Sequence, residues 1–438
     1  MEPRLQNRYA ILVQQHVHAA GFLNAGPSAP ADQNTAMAAT QAAWRFLHNE
    51  RITLPALAEP LQQVAQRWRS EHPAAWALII HDWSALSYPT HASKKDRKSH
   101  GSPYSHGYDL GTLLLVDGGN GDPVAPIEME LTTSHAVYST RTPPPDQAGS
   151  RLDNVRGAMQ SVLGLGLGER VLHVIDREAD SLACYRQWQA DGRCFLVRTD
   201  DDRRVRWQDQ DLPLVEIQRQ LQKDGQFQRG REVVYRGRPA VQHLAETSVI
   251  LDRPAWRNRR RGGKVLHERV CGEPITLRLI ISRVCDEQGE TVALWYLFSN
   301  VPAEIAAETV AQWYYWRWRI ESFFKLLKSA GQAVEEWQQE SGEAIAKRLL
   351  VAAMACVVVW KLERAAAPEA ISFRTFLVRL SGRQMKYGKT YTAPAILAGL
   401  WTYLSMLDAL DLYNPDELRA MKTHLQFVAP NTATPAPP

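Results

Sequence analysis

Cysteine is scarce in this chain: five stand among 438 residues, Cys184, Cys194, Cys271, Cys285 and Cys356. The number is odd and no Cys-x2-Cys spacing occurs. That argues against a disulfide framework or a zinc site and predicts buried free thiols in a reducing compartment. Net charge is nearly absent as well. Lys and Arg number 51 against 47 Asp and Glu, a formal +4 with a pI near 8.7, so affinity for a polyanion has to come from local patches. Long hydrophobic runs are missing: the longest, 349–360, stops at Lys361, is too short to span a bilayer and reads as a core helix. No membrane partner is expected. The N-terminus, Met-Glu-Pro-Arg-Leu-Gln, lacks a signal-peptide hydrophobic region, and no internal repeat is evident. A 45% hydrophobic content supports sizeable cores, in a chain long enough for about two to four domains.

Residues 313–328, Trp-Tyr-Tyr-Trp-Arg-Trp-Arg-Ile-Glu-Ser-Phe-Phe-Lys-Leu-Leu-Lys, crowd aromatics, four bases and one acid together. At about 100° per residue, Tyr314, Arg317, Glu321, Lys325 and Lys328 share one face of a continuous helix. Trp313, Trp316, Ile320, Phe324 and Leu327 form a separate apolar stripe. The polar face reads in two ways. It is a solvated surface with Arg317–Glu321 and Glu321–Lys325 pairs, or a lone carboxylate among cations that receives polyphosphate and a metal ion.

Two apolar runs upstream end in acids: Ala-Trp-Ala-Leu-Ile-Ile-His-Asp at 75–82 and Val-Leu-His-Val-Ile-Asp at 171–176. Such runs predict buried strands that deliver Asp82 and Asp176 at their C-terminal ends. Strand-end aspartates also cap turns and helices, so neither is diagnostic alone. Together with Glu321, they form a set able to hold two divalent cations about 3.5–4 Å apart, the arrangement used in phosphodiester chemistry.

The spacing Tyr-x2-Arg-x3-Glu-x6-Lys, met by Tyr314, Arg317, Glu321 and Lys328, resembles the signature of bacterial cut-and-paste DDE transposases of the insertion-sequence-four type, which include the transposon-five transposase. Asp-Arg-Glu-Ala-Asp at 176–180 resembles that family's second motif. The first acid lies in His-Asp-Trp-Ser-Ala-Leu-Ser-Tyr, 81–88, where Trp83 replaces the hydroxyl residue more usual after the Asp. The likeness runs from about residue 35 to about 365. It implies an α/β fold: a ribonuclease-H-like catalytic core interrupted by a β-rich insertion, with helical N- and C-terminal domains. It implies Asp82, Asp176 and Glu321 as catalytic residues and as ligands of two Mg2+ or Mn2+ ions. The implied reactions are strand hydrolysis at a transposon end, hairpin formation and strand transfer. The implied partners are double-stranded DNA at transposon ends and target, and a second copy of the chain in a paired-end complex. The setting is the bacterial cytoplasm, on the nucleoid.

Along the chain, 4–23, 33–49 and 55–70 read as helices, forming an N-terminal domain over 1–70 that resembles an end-recognition module. Strands are expected at 75–82, 109–116 and 124–131, then a helix at 150–164, the strand ending at Asp176, a helix near 178–190 and a strand at 194–198. This order suits a core over 71–200 and 301–365, with β-branched runs making an insertion over 201–300. Residues 366–438 read as a helical dimerisation region, with Leu400, Trp401, Leu404, Leu407 and Leu410 at helical spacing. Ordinary packing against the core is the other reading of that stripe. The tail from Pro430 reads as disordered.

Arg253, Arg257, Arg259, Arg260, Arg261, Lys264 and Arg269 stand against one acid, Glu268: a grip on DNA phosphates or a solvated hairpin. Lys94, Lys95, Arg97 and Lys98 leave the same two readings open. By resemblance, Trp295 stacks a flipped base and Trp318 fills the gap it leaves, whereas by itself a strand Trp reads as core. Arg198 lies near the DNA end by the same likeness. Arg317 and Lys328 hold phosphates beside the cut bond, and Tyr314 donates a hydrogen bond there. His81, His100, His106 and His135 have no zinc spacing and read as incidental, while Glu178 and Asp180 read as structural. Two other classes stay in view: a metal-dependent nuclease on the same fold, and a non-catalytic DNA-binding relic.

Overall fold

A computed structural model of the chain describes residues 1–18, 33–101, 104–145, 151–261, 264–385 and 391–421. Helices α1 (Pro3–His18), α2 (Gln33–Leu47) and α3 (Leu54–Glu71) precede strands β1 (Ala77–Ser87), β2 (Lys98–Ser99), β3 (His106–Asp117), β4 (Pro123–Thr132) and β5 (Val137–Ser139). Next come α4 (Arg151–Leu163), β6 (Val171–Ile175), α5 (Leu182–Ala190), β7 (Cys194–Thr199), β8 (Arg204–Trp207), β9 (Gln210–Pro213) and α6 (Leu214–Lys223). A β-rich stretch follows: β10 (Gln228–Tyr235), β11 (Arg238–Leu251), β12 (Ala255–Arg261), β13 (Lys264–Val270), β14 (Ile275–Cys285) and β15 (Thr291–Ser299). The chain closes with α7 (Ala307–Tyr315), α8 (Trp318–Leu327), α9 (Gly342–Arg364), α10 (Pro368–Leu380), α11 (Ala393–Leu412) and α12 (Pro415–Met421).

Among the described residues, thirteen strands form one mixed sheet in the order β5-β4-β3-β1-β6-β7-β15-β14-β11-β8-β9, with β2 beside β3 and β10 beside β11. Strands β1, β3 and β4 run antiparallel, while β6 and β7 run parallel to β1. This is a ribonuclease-H-like order. Ala77 to Ile80 are fully buried, as expected of a central strand covered on both faces. One face is closed by α9, whose apolar residues run all round it and are almost entirely buried, together with α3. The Ser341 hydroxyl accepts from the Ala344 N–H and caps α9. On the other face Val155 and Met159 of α4 and Tyr185 and Trp188 of α5 pack over Ile175, Phe195 and Val197.

The structure departs from the sequence expectations in several places. Residues 201–300 are β-rich as expected, but most of their strands extend the main sheet through β15 beside β7; among the described residues, only β12 and β13 pair apart from it. Helix α6 lies among them and was not anticipated. Strand β1 does not stop at Asp82, because β3 continues to pair with it as far as Ser87. Residues 313–328 are two helices, not one. Between them Arg317, Arg319 and Ile320 donate to carbonyls three residues back, at 3.0, 2.9 and 3.1 Å, a tightened turn of 3₁₀ type. The turn between β3 and β4 holds this break: Trp313 Nε1 donates to Gly118 O at 2.9 Å and Arg319 Nε to Gly121 O at 2.7 Å.

Helix α11 is, among the described residues, the one helix long and apolar enough by length and composition to cross a membrane. Thr402, Ser405 and Asp408 interrupt its apolar run in the sequence. Its first turns are buried, while Leu407 and Leu410 are 40% and 47% exposed. None of the five cysteines is in a disulfide, but the expectation of burial holds only for Cys285 and Cys356: Cys184 and Cys194 are half-buried and Cys271 is exposed. The end of the expected helix 4–23 and the tail from Pro430 lie outside the described residues.

Candidate active site

Parallel pairing of β1 with β6 ends at the pair His81 and Ile175. The next residues, Asp82 and Asp176, are therefore neighbours on the sheet face toward α8 and α9. Each aspartate uses one oxygen on the following backbone N–H: Asp82 Oδ1 accepts from Trp83 at 2.8 Å and Asp176 Oδ1 from Arg177 at 2.6 Å. Glu321 lies in the first turn of α8. Arg317, at the break before α8, joins the three. Its Nη1 lies 3.1 Å from Asp82 Oδ2, and its Nη2 lies 3.3 Å from Asp176 Oδ2 and 2.9 Å from Glu321 Oε1. The Arg317 side chain is 7% exposed, against 22%, 25% and 39% for the three acids.

Asp176 gathers a further donor and a further cation. Tyr314 Oη donates to its Oδ1 at 3.1 Å, and Arg198 Nε lies 2.8 Å from the same oxygen. Burial would raise the Asp176 carboxyl, but Arg317, the Arg177 N–H, Arg198 and Tyr314 outweigh it and hold it below the usual range. Asp82 moves the other way. Burial, helped by Asp176 and Glu321 and opposed by Arg317 and the Trp83 N–H, pushes it up to about 6. Burial works against the Arg317 guanidinium, yet the surrounding Tyr314 and three acids raise its pKa further.

Among the described residues no three His, Cys, Asp or Glu side chains stand close enough to enclose a metal ion. Here Arg317 occupies the space between the acids. The donor set nevertheless suits a hard divalent cation: three carboxylates from separate elements, each with an oxygen aimed at a common positive centre.

Of the other expected site residues, Trp295 and Trp318 stand beside Tyr314 and Arg317. Lys328, just past α8, donates to Ala85 O and lies 3.5 Å from Glu335 Oε1. Trp295 is half-buried, its ring centroid 6.3 Å from those of both Tyr314 and Tyr235. Trp318 is 50% exposed, 5.8 Å from the Arg317 guanidinium. Arg259, Arg260 and Arg261 sit on the β12–β13 hairpin opposite Leu266, Val265 and Lys264, and their side chains lie outside the described residues. Glu178 pairs with Arg151 at 3.1 Å and Asp180 accepts from Tyr185 Oη at 3.0 Å, both structural contacts. The cluster after Asp82 is largely turned inward. Buried Lys94 donates to Trp337 O at 2.8 Å, Arg97 to Lys94 O at 3.0 Å, and Lys98 pairs with Asp109 at 2.6 Å, while Lys95 is exposed.

Two features escaped the sequence reading. His81 Nε2 and His173 Nδ1 are 2.9 Å apart and fully buried on the face opposite Asp82. Burial drives His81 down to about 3 and, with His81 and Arg193, His173 well below its ordinary value, which favours the neutral form of both rings. The signal was a His in each of the two apolar runs. The Arg151 guanidinium also lies 5.7 Å from the Trp83 ring centroid, giving the unusual Trp a structural partner.

A family model described as a transposase DDE domain matches residues 77–358, a span that contains all three acids. None of the curated proteins matches the chain. Among solved structures the chain is similar to one titled a cryo-EM structure of piggyBac transposase synaptic complex with hairpin DNA, at 11% identity and a TM-score of 0.36. The alignment covers 100% of this chain and 78% of that one.

Proposed function

The chain belongs to the family of transposases that share the DDE domain, and from that premise we propose a cut-and-paste enzyme of the insertion-sequence-four type, similar to the transposon-five transposase. The observation that carries this reading is the meeting of Asp82, Asp176 and Glu321, from distant parts of the chain, at one guanidinium. The Tyr-Arg-Glu-Lys spacing of 314, 317, 321 and 328 supports the finer assignment. In this reading Asp82, Asp176 and Glu321 hold two Mg2+ or Mn2+ ions, which when bound supply the positive charge that activates water and stabilises a leaving oxygen.

The protein's own groups position the DNA. Arg317 offers a fork to a phosphate beside the cut bond, and Lys328 offers a point charge. Tyr314 donates through its hydroxyl and Arg198 adds charge on the same side. Water attacks phosphorus at the element end, the P–O3′ bond breaks, and a 3′ hydroxyl is freed. That hydroxyl attacks the opposite strand, its oxygen bonding to phosphorus as the flanking oxygen leaves, which closes a hairpin. Opening the hairpin and joining the end to target repeat the same in-line displacement, so one site serves all four steps. Trp295 stacks the base shed at the strained hairpin and Trp318 fills its place. Residues 1–70 meet the transposon end, 71–200 and 301–365 form the catalytic core, 201–300 supply DNA contacts, and 366–438 join two copies in a paired-end complex. The setting is the bacterial cytoplasm.

The test is an end-labelled duplex carrying the element's own terminus, incubated with protein and Mn2+ and resolved on denaturing gels. Wild type should nick and then form hairpins. Asp176→Ala should bind without cutting, and Trp295→Ala should nick normally but form few hairpins. Nicks that never become hairpins in wild type would favour a nuclease on the same fold. Binding without any cleavage would favour a non-catalytic relic.

A further inference from the structure

We infer that Arg317 is the resident counter-cation of the acidic centre, which a divalent ion must displace on entry. The inference rests on the metal-dependent reading above and concerns what stands in that site before the ion arrives. Each of the two aspartates has one oxygen tied to the following backbone N–H, through Asp82 Oδ1 and Asp176 Oδ1. The oxygens left over, Asp82 Oδ2 and Asp176 Oδ2, are the ones that face Arg317, together with Glu321 Oε1. The guanidinium thus engages the oxygens a metal would need. Its nitrogens hold them at 2.9 to 3.3 Å, whereas Mg2+ draws oxygens to about 2.0–2.1 Å. Ion and fork cannot occupy the same space.

Two further observations suit a group that moves. Arg317 Nε is buried and has no hydrogen-bond partner among the described residues, so the fork is satisfied at its tip and not along its length. Trp318 is half exposed and its ring lies 5.8 Å from the guanidinium carbon, a face on which a displaced guanidinium can rest by cation–π attraction. Without Arg317, three carboxylates would face one another across the gap and repel. With it, the negative charge of the metal-free centre is partly offset and the three acids are held together. A released fork would then be available to a DNA phosphate, which ties metal entry to substrate engagement.

The test uses the full chain without DNA. Mn2+ is titrated calorimetrically into wild type and Arg317→Gln, and melting temperatures are recorded in EDTA and in Mn2+. The variant should bind Mn2+ roughly tenfold or more tightly than wild type, since no charge-assisted contacts have to be broken. It should melt lower than wild type in EDTA and recover more on adding Mn2+. Should Arg317→Gln fail to fold, Arg317→Lys keeps the charge without the fork and should still bind more tightly than wild type. Equal or weaker Mn2+ binding by the folded variant overturns the counter-cation role and leaves the metal site standing. No saturable Mn2+ binding in wild type and variant alike removes both.

Discussion

Glu128 lies on β4 on the sheet face opposite Asp82, 6% exposed, accepting from the Ser161 hydroxyl and 3.8 Å from Arg141. Burial, opposed by Ser161 and Arg141 and helped by Glu130, pushes its carboxyl up to about 7. An acid raised in the folded state carries no penalty while both states are protonated. The penalty grows as the unfolded chain ionises near its ordinary value of 4.5 and is complete above about 7. Glu128→Gln should therefore gain stability relative to wild type as pH rises from 5 to 8, by on the order of 2–3 kcal/mol. Urea denaturation midpoints at the two pH values measure this, and a pH-independent difference would show that the carboxyl is not raised. The same scale shows what a sequence carries. Asp82 and Asp176 stand out as acids that end apolar runs, and Glu321 as the lone acid among the bases of 313–328. That one guanidinium binds all three is not legible, since it depends on distances between residues up to 239 positions apart.

At the scale of elements, the junction of α7 and α8 decides where Arg317 and Glu321 point. Periodicity across 313–328 reads as one helix because the apolar stripe continues through the break. The break is a tertiary effect, imposed by the turn after β3. Gly121 there has φ +77°, and a Cβ on it would lie 2.4 Å from the Trp316 ring. Gly121→Ala should therefore cost roughly 2–4 kcal/mol from overpacking and left-handed backbone together. The loss should shrink in a Trp316→Ala background, where the steric part is gone. Denaturation midpoints of the four proteins in this cycle give the coupling; additivity would show that the ring and the turn do not press on each other. Strand β1 makes a similar point. Its apolar half is plain in the sequence, but its extension past Asp82 follows from pairing with β3, which no local pattern announces.

For the whole molecule, a formal charge of only +4 means that DNA affinity rests on patches, and the cluster after Asp82 turns out to be mostly committed to internal acceptors. The hairpin of β12 and β13 stands apart from the main sheet and carries Arg259, Arg260 and Arg261. Reversing these three to Glu should weaken duplex binding across all sequences and reduce the slope of log K against log salt by about 3. Binding isotherms at several salt concentrations test it, and an unchanged slope would mark the hairpin as solvated surface. Residue type and local periodicity make the candidate acids, their chain order and most of the strands and helices legible in the sequence. Tertiary structure alone decided that strands from 201–300 extend the sheet begun by β1 and that α7 and α8 part at Arg317. It alone brought the three acids to one cation, because register, helix breaks and charge convergence arise from contacts between segments that no local window contains.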